Sequence, residues 1–248
     1  MVSLEPLRAI GRLAQLTWQS LCCVGSLRRA EVLEHACEVS YRSAFFACTT
    51  MAFVGAILVM QAAGQAENLL GDTSPIGAAF LQLLVSEFGP LVSSILVAGR
   101  FGAGVAASLA GMVVTEQVDA LRLCGAAPVP YLLAPRVWGT LLGMVPVVTL
   151  ATATSWAAGA CVATGVYGIG LDVFASTQQT TLGDLWLGLS KALLFGVAIP
   201  VVSGQAGLGA GAGAEAVGEA TTRAVIRALV TLLVLDFALS LLAYGMRR

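Results

Sequence analysis

Long apolar runs alternate with short polar breaks along this chain, and the runs set its architecture. Ser43–Ala66 carries no charge, and Val137–Leu171 is likewise uncharged. Thr73–Thr115 is interrupted only by Glu87 and Arg100. Asp184–Ser203 encloses Lys191, and Arg223–Met246 contains Arg227 and Asp236. A bilayer-spanning helix needs roughly 20 apolar residues. The pattern therefore predicts five spans, over residues 43–65, 77–111, 137–165, 184–204 and 223–246. Residues 42–248 form the transmembrane domain in this reading.

Residues 1–41 differ in kind. Arg8, Arg12, Gln15 and Gln19 recur at helical spacing on one face, and Leu7, Ile10, Ala14, Trp18 and Leu21 fall on another. That pattern predicts a helix lying in the membrane interface, arginines toward headgroups and Trp18 at the acyl boundary. No continuous apolar stretch follows the first positive charges, so a cleavable signal peptide is not expected. His35, the only histidine, stands among Glu31, Glu34 and Glu38 and reads as solvated.

Composition supports the membrane class. Of 248 residues, 58% are hydrophobic and 11% charged, against about 25% charged in ordinary soluble domains. The net charge of −1 and the lack of a basic tract point away from nucleic acid. The six cysteines form no CxxC pair and have no histidine at ligand spacing, so they read as small apolar fillers. No metal site is expected.

The positive-inside rule orients the spans. Arg8, Arg12, Arg28, Arg29 and Arg42 precede the first span, Arg122 and Arg136 follow the second, and Arg223 and Arg227 follow the fourth. The breaks after spans one and three hold no Lys or Arg. The N-terminus is therefore expected on the cytoplasmic side. Arg247-Arg248 runs against the scheme.

Four charges fall inside spans: Glu87, Arg100, Lys191 and Asp236. Each costs at least about 2.5–3.5 kcal/mol at mid-bilayer, so it needs a partner or a cavity. Two acids and two bases can pair off and fix packing, or some can line a polar path. Glu87 precedes Gly89-Pro90, where a kink is expected. Arg100 stands thirteen residues later, about 20 Å along a helix, and reads as a snorkelling interfacial residue. The stretches "GRFGAGVAASLAG" (Gly99–Gly111) and "GTLLG" (Gly139–Gly143) permit close helix approach. "GQAGLGAGAGAEAVGEATTR" (Gly204–Arg223) lacks a phosphate-loop lysine and reads as a flexible connection whose Thr221-Thr222 cap the fifth helix.

Between spans two and three, "TEQVDALRL" predicts a short helix within about residues 113–125, begun at Thr115-Glu116 and ended by Gly125. Pro128, Pro130 and Pro135 predict an extended or bent return. A short rigid helix between two spans suits force transmission from a soluble partner, but equally suits a helix resting on the membrane.

The stretch "SEFGPLVSSILVAGRFGAGVAASLAGMVVTEQVDALRLCGAAPVPYLLAPRVWG" (Ser86–Gly139) closely resembles the signature of the MlaE/YrbE permease family, with its ELGP, AGR.G, TEQ.DAL and P..YL..PR elements. "GAEAVGEATTRAVIRALVTLLVLDFALS" (Gly213–Ser240) is similar to the family's ATTR to DF segment. The resemblance implies an all-α, polytopic membrane subunit of an ABC-type lipid transporter. It implies a permease homodimer, a separate cytoplasmic ATPase carrying ATP and Mg, and an MCE-domain periplasmic lipid carrier. The cargo would be phospholipid, moved between the inner and outer membranes of a Gram-negative-type bacterium. This chain would sit in the inner membrane with no cofactor of its own and no enzymatic activity.

The resemblance assigns Glu87 and Arg223 to the lipid path, with Phe53, Ile57, Leu58, Leu81 and Leu84 expected along the acyl region. It assigns Thr115, Glu116, Gln117, Asp119, Leu121 and Arg122 to ATPase coupling, and leaves Arg100, Lys191 and Asp236 structural. Two departures stand out. Ser86 replaces the arginine that many relatives carry before the glutamate, which leaves Glu87 without an obvious partner. Glu219 stands where many have Gly-Arg, which alters the charge near Arg223. The rival reading is a secondary transporter or ion channel relaying through Glu87, Lys191 and Asp236. A lipid-acting enzyme is the weakest alternative, because no GxSxG, paired histidine or metal-spaced acid is present.

Overall fold

A computed structural model of the chain describes residues 5–22, 29–70, 76–177 and 180–246. Cys23, Arg28 and Arg247-Arg248 lie outside the described residues, as do the side chains of Arg8 and Arg12. The described residues are almost all helical, with no strand among them. They comprise α1 (Glu5–Cys22), α2 (Arg29–Leu70), α3 (Ile76–Leu83), α4 (Gly89–Val97), α5 (Ala103–Val114), α6 (Gln117–Leu123), α7 (Ala134–Tyr167), α8 (Leu171–Phe174), α9 (Leu182–Leu208) and α10 (Ala214–Met246). Five stretches are long and apolar enough to cross a membrane: Arg29–Ala66, Gly77–Val114, Val129–Tyr167, Leu182–Leu208 and Ala214–Gly245. The protein is an all-α polytopic membrane protein.

Small residues decide which helices touch. A Cβ added at Gly55 would lie 2.2 Å from the Ser155 carbonyl oxygen. One at Gly139 would meet His35 Cβ at 2.5 Å, and one at Gly143 the Ala36 carbonyl oxygen at 2.9 Å. The "GTLLG" stretch is thus a seam against α2, where backbones approach more closely than any side chain allows. His35, expected to be solvated, is only partly so, because its Cβ is wedged into this seam. In "GRFGAGVAASLAG" only Gly102 meets another helix, through Ser203 Oγ at 2.8 Å, whereas Gly99, Gly104 and Gly111 face open space.

The prolines are accommodated by widened helical turns. Residues Leu84–Phe88 form a π turn, and Gly89 N–H donates to Leu84 O within it. Proline lacks an N–H and its ring clashes with the carbonyl four residues back. Widening the turn just before Pro90 absorbs that mismatch, so α3, α4 and α5 form one column, with a second π turn at Ala98–Gly102. Nor do Pro128, Pro130 and Pro135 make an extended return. Pro128 caps a π turn (Val129–Leu133) that holds Pro130, and Pro135 lies in the opening of α7, where the orphan N–H positions tolerate proline.

Other boundaries shift for physical reasons. The divide expected at residues 41 and 42 falls inside the uninterrupted α2. Helix α9 continues through Gly204 to Leu208, because Gly204 and Gly207 pack against Leu133 and Ala106. Helix α10 begins at Ala214, so Thr221 and Thr222 do not cap it. Their hydroxyls donate to the carbonyls of Val217 and Gly218 one turn back. Helix α1 docks Leu13, Leu16 and Leu21 onto the bundle and leaves Trp18 72% exposed. Leu21, expected beside Trp18, therefore faces protein.

Candidate functional site

Glu87 sits in the first π turn, Lys191 on α9, and Asp236 and Ser240 one turn apart on α10. These three segments converge on the Lys191 ammonium, which is fully buried. Lys191 Nζ pairs with Glu87 Oε2 and lies 2.8 Å from Asp236 Oδ1. It also donates to Ser240 Oγ at 2.7 Å. Ser240 in turn lies 2.9 Å from each Glu87 carboxylate oxygen and donates to one of them at a time. Two carboxylates and one ammonium leave the cluster with one net negative charge. Of the expected pairing of two acids with two bases, three members meet here, and Arg100 stands elsewhere.

The cluster is not sealed. The Glu87 side chain is 26% exposed and opens into a cavity of about 450 Å³ lined by Gln82, Leu83, Ser86, Asp184, Ser240 and Tyr244. Asp184 is fixed there by its capping box with Thr181, and Gln82 Nε2 donates to Asp184 Oδ2 at 3.5 Å. Across the wall made by α3, its π turn and α9 lies a second cavity of about 450 Å³, almost wholly apolar, lined by Leu81, Val85, Pro90, Trp156, Leu185 and Leu189. The wall is thin because Gly188 brings α9 against the Val85 carbonyl, where an added Cβ would lie at 2.2 Å. A polar, acid-lined space thus adjoins an oily one across a single helix contact. Such a pair of spaces suits a molecule with a polar head and an apolar body.

Among the expected lipid-path residues, Glu87 and Leu81 line cavities. Leu84 does not, because it is 1% exposed and belongs to the central buried cluster with Met144 and Val147. Phe53 and Ile57 are 67% and 52% exposed on the outside of α2, and Leu58 packs partly against the core. Arg223 is not brought to Glu87. It lies thirteen residues before Asp236 on α10, about 20 Å along the axis, and its guanidinium is 3.6 Å from Glu219. Ser240 was missing from the sequence reading, although its place four residues after Asp236 puts it on the same helix face.

At the far end of the α3–α5 column, α6 projects as a compact element. Glu116 precedes it with φ 59°, a left-handed conformation, and Gly125 follows with φ 77°. These two reversals, with Gly125 N–H donating to Arg122 O, clamp the helix into the chain. Val118 is its buried anchor. Thr115, Glu116, Gln117, Asp119 and Arg122 are exposed, with Asp119 and Arg122 paired at 2.9 Å, and Leu121 is half-buried. Leu123 is 90% exposed. It stands as an apolar side chain among the charges of α6, and the sequence reading passed it over.

Comparison with known proteins places this architecture. Residues 32–242 match the family described as Permease MlaE. The chain is 34% identical to a probable ABC transporter permease protein of Synechocystis over 187 residues, covering 74% of this chain and 70% of that protein. It is 32% identical to a probable ABC transporter permease protein of Rickettsia typhi over 173 residues, 68% of this chain and 66% of that one. It is 35% identical over 157 residues to the chloroplastic protein TRIGALACTOSYLDIACYLGLYCEROL 1 of Arabidopsis thaliana, 62% of this chain and 44% of the plant protein.

Proposed function

This chain belongs to the MlaE permease family and is a membrane permease subunit of ABC-transporter type, and from that premise we propose that it moves phospholipid between an inner and an outer membrane. A separate cytoplasmic ATPase supplies the energy, and an MCE-domain carrier exchanges lipid with the permease. Two copies form the working permease in the inner membrane, with the N-terminus cytoplasmic. The observation that carries the reading is the polar cavity beside Glu87 set against the apolar cavity across the Gly188 contact. A headgroup takes the first and acyl chain the second. The name of the Arabidopsis relative, that of a diacylglycerol glycolipid, agrees with a lipid cargo.

The ATPase docks on α6, where exposed Leu123 enters an apolar pocket of the partner and Glu116, Asp119 and Arg122 ring it. The α3–α5 column then links α6 to Glu87, so a tilt of α6 reaches the cavity wall. An ion relay also needs Glu87, Lys191 and Asp236 together. Here, however, the ammonium is held by both carboxylates and Ser240, and the ABC transporter permease relatives favour an ATP-driven reading.

The test is photo-crosslinking of the full chain with its ATPase in lipid nanodiscs. Benzoylphenylalanine at Leu187 and at Leu189, which line the two cavities, should each yield phospholipid adducts that change in yield when ATP is added. Adducts absent from both positions, or insensitive to ATP, would sink the assignment.

A further inference from the structure

A third cavity, of about 250 Å³, lies toward the α6 end of the bundle and has a different character. Three arginines from three separate segments converge on it. Arg42 comes from α2, Arg100 from the second π turn, and Arg136 from the first turn of α7. One carboxylate, Glu38, lines the same space. Three cations against one anion leave the lining with two positive charges.

The pairing within the cavity is incomplete. Glu38 takes Arg42 at 2.9 Å and lies 3.6 Å from His35 Nδ1. Arg136 Nη2 donates to Ser108 Oγ at 3.1 Å. Its Nη1 is buried with no hydrogen-bond partner, and so is His35 Nδ1. No carboxylate among the described residues lies within ion-pairing distance of Arg100. A buried guanidinium N–H without an acceptor is costly, and a fork of such donors matches phosphate oxygens in geometry and charge.

Depth narrows the ligand further. Arg136 stands two residues before Trp138, whose Nε1 donates to Ser20 O on α1 at 3.2 Å. Helix α1 turns Trp18 outward beside Leu13 and Leu16 docked inward, the arrangement of an interfacial helix. The arginine cavity therefore lies at the level of lipid headgroups. We propose that Arg42, Arg100 and Arg136 form a phosphate site that holds the phosphate of a membrane lipid headgroup, separate from the Glu87 cavity. The proposal rests on the permease reading only for its place in the membrane. It adds a lipid-holding position near the coupling helix, where cargo or a regulatory lipid would be held in contact with the moving column.

The experiment places benzoylphenylalanine at Gly104, which lines the cavity and where an added Cβ meets nothing within 4 Å. The full chain is reconstituted with phosphatidylglycerol, with phosphatidic acid, or with diacylglycerol, which has no phosphate. Both phospholipids should give adducts, and diacylglycerol should not. Arg100→Gln, an exposed residue outside the core, should lower the phospholipid adduct about tenfold, the loss of one charge-assisted contact. Arg100→Lys should retain part of it. Inorganic phosphate at millimolar concentration should leave the adduct unchanged. Equal crosslinking of diacylglycerol, or no change in both Arg100→Gln and Arg42→Gln, overturns the site. Competition by inorganic phosphate overturns the headgroup and assigns the site to a soluble phosphate. Adducts at Leu189 are scored in parallel. Their persistence when the Gly104 adduct fails separates loss of this proposal from loss of the lipid-permease reading.

Discussion

Lys191 is the residue on which the intramembrane charges depend. Its ammonium is fully buried and contacts Glu87, Asp236 and Ser240 together. Removing one partner of a buried ion pair costs about 3–5 kcal/mol, because the other charge is left uncompensated. Here two carboxylates would be stranded. Lys191→Met should therefore lower stability by at least that range, read as thermal unfolding of the detergent-solubilised protein. Ser240→Ala removes one donor to a carboxylate and should cost about 1.5–3 kcal/mol. If Lys191→Met proves as stable as the wild type, the ammonium does not compensate the two carboxylates. The sequence showed that these charges needed partners, since each falls inside an apolar run. It did not show which partners. That depends on how α9 and α10 rotate about the column, and the rotation is set by contacts such as Gly188 on Val85 that leave no mark in hydropathy.

At the scale of the element, α6 combines a strained entry with an exposed face. Glu116 occupies the left-handed region at φ 59°, ψ 11°. For a residue with a Cβ this costs about 1–2 kcal/mol relative to glycine. The strain is maintained because Thr115, Glu116, Ala120 and Gly125 are all held by backbone hydrogen bonds around the turn. Glu116→Gly should then separate two properties. Folding stability should rise by about 1 kcal/mol, while ATPase activation by the complex should fall with the loss of the carboxylate. A fall in both would mean that the left-handed turn is not the resting conformation. The helix itself was legible from "TEQVDALRL" and Gly125. Its strained entry was not, because glutamate gives no signal for a positive φ. The return at Pro128–Pro135 was misread as extended for a related reason. Proline announces a broken hydrogen bond, but a kink, an extended segment and a π turn all satisfy that same loss. The choice among them was made by the neighbours the column has to meet.

Across the whole molecule, helix directions follow from which residues meet. Gly139, Gly143 and Gly159 of α7 contact residues near 35, 39 and 59 of α2, so the two helices run parallel. Gly102 and Gly207 pair α4–α5 with α9 near residues 203 and 106, again in parallel. Lys191 with Asp236 and Ser240 sets α10 against α9 in the opposite sense, since Ala206 and Ala224 also share a cluster. Gly196 of α9 meets Leu141 and Gly204 meets Leu133, so α9 runs opposite to α7. Spans one and three therefore share one direction and spans two and four the other, which is what five successive crossings require. The same directions put α6 and the 209–213 turn at one end and α8 at the other, where the Phe174 and Phe80 rings meet at 6.1 Å, tilted by 39°. Labelling with a membrane-impermeant maleimide in sealed vesicles tests this directly. In a background whose other cysteines are replaced, native Cys124, exposed beside α6, and Ala212→Cys, at an exposed position of the 209–213 turn, should label from the same face. Asp172→Cys in α8 should label only from the opposite face. Labelling of all three from one face would remove at least one crossing, and with it the shared end on which α6 and the arginine cavity are placed.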